Sequence, residues 1–314
     1  MKTLNGLLFI LIFTNFYKIS AQERLFLEKT IKFKNYIANI KSDKKSNKIL
    51  IVEKDESIFP SKKSKIYYKT IEYDLTNSTS FVIDSSKVEM SSIAISNAFI
   101  STADYDGNIK VFNLPSYKLA KYHAGNGEWI YKHMFSQNSN DLYYINAYEK
   151  VAYKWNTITN KVDSLVVNKQ INDFLLSDDL LIFGNFQKSE IWSEQLQKKI
   201  LEIPFENVSN LSKSNDSYLI GLSSGILVVA NNKFEIIKKI DTHFKSVLSI
   251  DANENFICSS SLDQSFAIYN TSTLELIHHE LNCHRGRIDF ALFTKDYLVT
   301  FGEDQNLKVW SIKN

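Results

Sequence analysis

Cysteine, proline, glycine and arginine are all scarce in this chain of 314 residues. Its two cysteines, Cys258 and Cys283, are too few for a disulfide framework, and a fold of this size needs none. Three prolines and nine glycines exclude a collagen-like or linker-rich chain. Arginine stands only at 24, 285 and 287, and the formal net charge is +2, so no basic field points to nucleic acid. No run of 18 apolar residues occurs, which argues against a membrane-spanning helix and against membrane insertion. What is plentiful is strand-forming: 21 Phe, 16 Tyr and a hydrophobic fraction of 44%, enough to build a core and to exclude a disordered chain.

The first residues, "MKTLNGLLFILIFTNFYKISAQ", set Lys2 before an apolar run from Leu7 to Phe13 and end on Ser20-Ala21. That is the layout of a secretory signal. We expect residues 1–21 to be a leader cleaved after Ala21, residues 22–314 to be a single domain, and the product to be secreted or periplasmic.

A repeat runs through that domain. "DQNLKVWS" at 304–311 matches "DQSFAIYN" at 263–270 and "DGNIKVFN" at 106–113, and more loosely "EKVAYKWN" at 149–156. Asp263 and Asp304 are 41 residues apart, Asp106 and Glu149 are 43 apart, and the 114 residues from Glu149 to Asp263 hold three intervals of 38. The degraded stretches "NFQKSEIWS" and "SSGILVVAN" fill the gap, and "SKIYYKTIEYD" adds a unit upstream. Seven units follow, marked by Tyr73, Phe112, Trp155, Trp192, Val229, Tyr269 and Trp310. Residues 22–314 divided by seven give about 42 per unit, and each unit reads as four short strands separated by turn residues.

A period near 40 with a turn acid and a strand-terminal aromatic resembles the WD40 repeat. The resemblance implies an all-β, seven-bladed β-propeller. It also implies how the ring closes. Trp310 falls on a third strand with no fourth to follow, so "ERLFLEKTIKF" near the start is expected to pair beside Asn306 to Ile312 and cover the open edge. In the last unit His284, Thr300, Asp304 and Trp310 match the family's structural tetrad of loop His, second-strand hydroxyl, turn Asp and third-strand Trp. His243, Ser259, Asp263 and Tyr269 repeat it with a Tyr for the Trp. Elsewhere it decays: Thr102 and Asp106 lack a loop His, and His123, Glu149 and Trp155 face Ile145 where a hydroxyl belongs. A His, a hydroxyl and an acid also suit nucleophilic catalysis, but recurrence favours a scaffold, because catalysis needs one copy.

Other chemistry-like motifs read as structure. "GLSSG", Gly221 to Gly225, fits a nucleophile elbow by letter but sits between two strands, where a hairpin belongs. In "HHELNCH" the adjacent His278 and His279 point to opposite faces of a strand, so a zinc site with Cys283 and His284 is not expected. The lysine stretches "KSDKKSNK" at 41–48 and "PSKKSK" at 60–65 read as solvated loops on opposite faces of the disk. Asn77-Ser78-Thr79 and Asn270-Thr271-Ser272 fit glycosylation acceptors, but the Lys-, Asn- and Ile-rich composition points to an AT-rich genome and no glycan is expected.

The expected function is a non-catalytic scaffold, without metal or cofactor, that binds a protein or peptide. By the resemblance, its partner is met by loop residues next to the turn acid and ahead of the first strand: Tyr105, Trp129, Tyr148, Phe244, Lys245, Arg285 and Arg287. The alternatives are a propeller-class enzyme, either a quinoprotein-like dehydrogenase or a sugar hydrolase or lyase, and a factor that holds client strand edges during envelope assembly.

Overall fold

The structure, a computed structural model, describes residues 24–33, 35–54, 68–147, 149–167, 169–195 and 198–313. The expected leader at 1–21, the lysine stretch at 60–65 and Tyr148 lie outside them.

The described residues form seven four-stranded antiparallel sheets, the blades of a β-propeller, numbered here 1 to 7 in chain order. The innermost strands are Tyr36–Ser42, Met90–Ile95, Ile130–Phe135, Ile171–Ser177, Val208–Ser214, Val247–Ala252 and Ile288–Phe293. Each packs beside the innermost strand of the next blade around a central lumen. The seven repeat markers all fall on third strands. Each lies opposite an apolar second-strand residue, from Ile49 against Tyr73 and Ile100 against Phe112 to Leu298 against Trp310. The degraded units keep that register, with Leu181 opposite Trp192 and Leu219 opposite Val229.

Apolar cores lie between blades. Leu175, Ile182 and Ile191 of blade 4 meet Val208, Leu211, Tyr218, Ile220 and Val228 of blade 5 in one buried cluster. Burying each such side chain is worth about 1.5–3 kcal/mol, so neighbouring blades stabilise one another. The outer strands are exposed, as in Lys198–Ile203 and Ile236–Asp241.

Closure is as the repeat predicts. Arg24–Lys32 pairs antiparallel with Asn306–Lys313, from Arg24 opposite Lys313 to Lys32 opposite Asn306, and supplies the fourth strand of blade 7. Leu25 and Ile31 pack onto the two flanking cores. The Lys29 amine donates to the Leu75 carbonyl of blade 1.

Every innermost strand carries a bulge near its start, one residue after the first paired position in blades 2 to 7 and two after it in blade 1. The extra residues are Ala38, Ser91, Tyr131, Asn172, Ser209, Leu248 and Asp289. A bulge shifts the side-chain alternation by one and bends the strand, and all seven of these residues line the hollows at one end of the lumen. The same layer ties blade to blade. Asn39 Nδ2 donates to Ser91 O (3.0 Å), Ser91 Oγ to Ile130 O (2.5 Å), Asn172 Nδ2 to Val208 O (3.1 Å), Ser209 Oγ to Val247 O (2.7 Å) and Ser249 Oγ to Ala291 O (3.2 Å). The Lys132–Asp173 ion pair at 2.5 Å joins blades 3 and 4, and Ile37 N donates to Gln305 Oε1 (3.0 Å) between blades 1 and 7. All seven junctions are thereby stapled.

Candidate functional site

In blade 7 the four expected residues meet. His284 Nδ1 lies 3.0 Å from Asp304 Oδ1 and its Nε2 lies 2.8 Å from Thr300 Oγ1, while Trp310 Nε1 donates to Thr300 Oγ1 at 3.0 Å. A carboxylate only accepts, so Nδ1 carries the proton. Burial holds the His284 pKa below its ordinary value, so the ring is neutral and its Nε2 accepts from Thr300. The result is one donor chain, Trp310 to Thr300 to His284 to Asp304. Burial works to raise the Asp304 pKa, but the Arg285 N–H, His284 and Asn306 override it and hold it at about 2. The one hydroxyl in this donor series, Thr300, is fully buried, and its oxygen is already engaged twice.

Blade 6 is a looser copy. His243 Nε2 is 2.9 Å from Ser259 Oγ, but its Nδ1 meets Ser265 Oγ at 2.8 Å, and Ser265 in turn donates to Asp263 Oδ1 at 2.5 Å. Asp263 itself stays 3.6 Å from the imidazole. Tyr269 donates to Thr242. Burial pushes the His243 pKa down to about 4.

Blade 3 has no such chain: Trp155 Nε1 donates to Asn160 (2.9 Å) and His123 rests against the Trp155 ring. In blade 2 Asp106 is exposed, and Asp104 accepts the turn N–H groups of Asp106 and Asn108 instead. His133, which the repeat does not single out, joins Ser92 and Ser101 of blade 2 from the innermost strand of blade 3, at 2.9 and 2.8 Å. Burial pushes its pKa down to about 3.

Gly302 makes room for the blade 7 imidazole. A Cβ there would lie 2.7 Å from His284 Cβ and Cγ. Gly302→Ala is expected to displace the ring and destabilise the fold by about 1–3 kcal/mol, the usual range for overpacking. The denaturant midpoint reads this directly. An unchanged midpoint means the imidazole is free to give way.

The remaining motifs fall into place as structure. Ser223 sits in the hairpin after Ser217–Leu222 and bonds to Asn207 O. His278 pairs with Glu280 at 2.7 Å, whereas His279 lies edge-on to His243. Both thiols are free. The described residues hold no group of three or more His, Cys, Asp and Glu placed for a metal ion.

The expected contact residues divide into two sets. Tyr105, Trp129 and Arg287 gather at the lumen mouth, where Tyr105 stacks on Trp129 (centroids 4.6 Å apart) and Trp129 meets Tyr131 edge-on (6.0 Å). Arg287 is held by Asp289 at 2.6 Å. Phe244, Lys245 and Arg285 stand exposed outside the mouth on the turns above the tetrads, Phe244 being 90% exposed. The Phe244 and Arg285 N–H groups are tied to Asp263 and Asp304.

The mouth opens into two adjoining hollows of about 400 and 380 Å³ that share Trp129, Tyr131, Ser209 and Leu248. Tyr36, Tyr131 and the exposed Phe186 extend the aromatic wall, and Lys41, Lys132 and Asp173 line the lumen. Lys41 corrects the reading of 41–48 as a solvated loop, because its strand is innermost and it turns into the lumen. The loop beyond also reaches across the ring, with Lys44 pairing with Asp251 of blade 6 at 2.6 Å. Burial pushes the Lys41 pKa down to about 8, helped by Lys132 and opposed by Asp173 and Asp251. A larger cavity of about 1050 Å³ lies at the edge of blade 3 among Asp141, Lys154, Asp163 and Glu194. Its lysine is already paired with Asp141 at 3.0 Å, and its walls are strongly polar. The lumen mouth, where aromatic and aliphatic side chains stand beside converging polar groups, is the better candidate site.

No family model and no curated protein matches the chain. Solved structures do match it. One, the computationally designed Ika8 protein, superposes with a TM-score of 0.67 at 14% identity, over 88% of this chain and 83% of its own. A likeness at that identity shows the shared fold alone.

Proposed function

We propose that the chain is an exported, WD40-like β-propeller that binds a protein or peptide partner at the lumen mouth and catalyses no reaction. The aromatic wall carries the reading: Tyr105, Trp129 and Tyr131 are packed ring to ring beside two adjoining hollows. Aromatic rings and arginines at the centre of a contact surface supply most of its binding energy. The WD40-like assignment is supported by the donor chain from Trp310 to Asp304 and its partial copy in blade 6. Export is supported by the leader pattern of residues 1–21. Absence of catalysis is supported by the state of the lumen carboxylates. Asp173 is held by Lys132 and Leu211 N, Asp289 by Arg287, and Asp251 by Lys44 and Phe293 N, while Glu89 accepts from the Tyr68 hydroxyl. A glycosidase pair needs two carboxyl groups free to exchange protons with substrate.

The test is affinity capture from the native envelope or secreted fraction, with mass spectrometry of what is retained. Tyr105→Ala, Phe186→Ala and Arg287→Ala together are expected to leave the unfolding temperature unchanged and weaken the captured partner roughly hundredfold, as a loss of about 1 kcal/mol from each of the three contacts implies. Full retention by the folded triple variant would move the contact surface to the opposite end or the rim.

A further inference from the structure

We propose that the lumen is a binding site for a carboxylate carried on an apolar or aromatic body, with Lys41 as the cation that receives it. This goes beyond partner binding at the mouth and does not depend on it.

The Lys41 amine makes no hydrogen bond and no ion pair with any described residue, although it lines the lumen. Charges from across the ring act on its amine, Lys132 from blade 3, Asp173 from blade 4 and Asp251 from blade 6, which places it toward the axis. None of the nearby carboxylates is available to it. Asp173 accepts from Lys132 and from Leu211 N (2.7 Å), and Asp251 accepts from Lys44 and from Phe293 N (2.8 Å). These pairs cancel, as Arg287 with Asp289 does, and the remaining carboxylate of the lining, Glu89, accepts from the Tyr68 hydroxyl (2.8 Å) and makes no ion pair with Lys41. An uncompensated charge away from bulk water is costly, and an incoming anion relieves that cost. Two residues earlier on the same strand, Asn39 uses its Nδ2 on Ser91, and its Oδ1 is a buried acceptor without a donor. The lumen therefore holds an unpaired cation and, two residues away on the same strand, an acceptor that a carboxylate alone cannot satisfy; a guest with an N–H beside its carboxylate, as a peptide C-terminus has, meets both.

The walls define the rest of the ligand. Ile37, Met90, Leu248 and Phe290 line the hollow, and the aromatic group of Tyr105, Trp129 and Tyr131 stands over its mouth. The other cations of the lining, Lys132 and Arg287, are each engaged by a carboxylate, and the one ammonium left suits a single carboxylate better than a phosphate, which is usually met by several donors or a bidentate guanidinium. At about 400 Å³, continuous with a second hollow of about 380 Å³, the space lies within the range of small-ligand sites. Either a free aromatic acid or the C-terminal carboxylate of a polypeptide offers this chemistry.

Calorimetry on the folded chain, with 3-phenylpropionate against 3-phenylpropionamide, tests the charge without any substitution. The acid is expected to bind at least roughly tenfold more tightly than the amide. Lys41→Met and Lys41→Gln are expected to remove that difference while leaving the protein at least as stable, since each deletes an unpaired charge. A heptapeptide ending in Phe, with its terminus free or amidated, separates the two sources. Preference for the free peptide acid over 3-phenylpropionate assigns the site to chain ends, and the reverse assigns it to small acids.

Binding is expected to weaken as pH rises from about 7 to about 9, because the amine loses its proton near 8. Lys132, Asp173, Lys44, Asp251 and the buried His133 also face it, with Glu89 in the same hollow, and the Lys41 variants measured over the same range subtract their contribution. Equal binding of acid and amide, unaltered acid binding in both Lys41 variants, or no heat from either acid up to about 10 mM overturns the proposal.

Discussion

A chain lacking Arg24–Lys32 is expected to unfold several kcal/mol more easily than the intact one and to self-associate. Eight residue pairs join that strand to Asn306–Lys313, and cross-strand pairs contribute about 0.2–1 kcal/mol each. Leu25 and Ile31 add apolar contacts with the flanking cores. The loss also uncovers the third strand of blade 7, whose free N–H and C=O groups form a template for another chain. Denaturant midpoints and sedimentation measure the two effects separately. A synthetic peptide of residues 24–33 added in trans is expected to restore both in part. An unchanged midpoint in the truncated chain would mean that closure does not hold the ring.

Asp304→Ala is expected to be the most damaging single substitution in the tetrads, at about 2–4 kcal/mol. Its carboxylate accepts from His284, the Arg285 N–H and the Asn306 N–H, and hydrogen bonds to a charged group are worth about 1.5–3 kcal/mol. Removing it strands a buried imidazole N–H and frees the loop that leads into the last innermost strand. Glu149→Ala is the internal control. Glu149 occupies the matching turn of blade 3, but burial and the neighbouring Glu128 raise its pKa, so its loss also removes a repulsion. Its midpoint is expected to move by a small fraction of the Asp304 effect. Equal shifts from the two variants would remove the distinction between a complete tetrad and an eroded one.

Much of this was legible in the sequence because the third-strand marker and the turn acid recur at a nearly constant interval. Trp192 and Val229 belong to units with almost no motif left, and still hold the register of Trp310. The closing strand was legible for a related reason, since a terminal third strand demands a fourth from somewhere. The lumen was not. Each innermost strand carries a bulge, so simple alternation assigns the wrong face after its first residues. Lys41 reads as one lysine in a polar run, yet two of its neighbours on the strand, Ile37 and Ile40, are buried and it faces the lumen. His133 is a single histidine on a strand, with no spacing to mark that it bridges two serines of the preceding blade. The signal that was available is the column of residues just after the bulge, Asn39, Ser92, Lys132, Asp173, Asn210, Ser249 and Phe290, which is mostly polar where a core strand is expected to be apolar.

The staples around the lumen act as a hoop. Short serine and asparagine side chains tie five of the seven junctions to a neighbouring main chain, and an ion pair and a glutamine tie the other two, so the bore is fixed before anything enters it. A guest then meets a wall already in its final shape, and the ordering penalty falls mainly on one flexible part, the four-carbon stem of Lys41, worth up to about 2 kcal/mol of rotamer freedom. Selectivity in such a bore is geometric: a guest too wide is refused by the hoop itself, because widening the bore at one junction would pull on the ties at the other six.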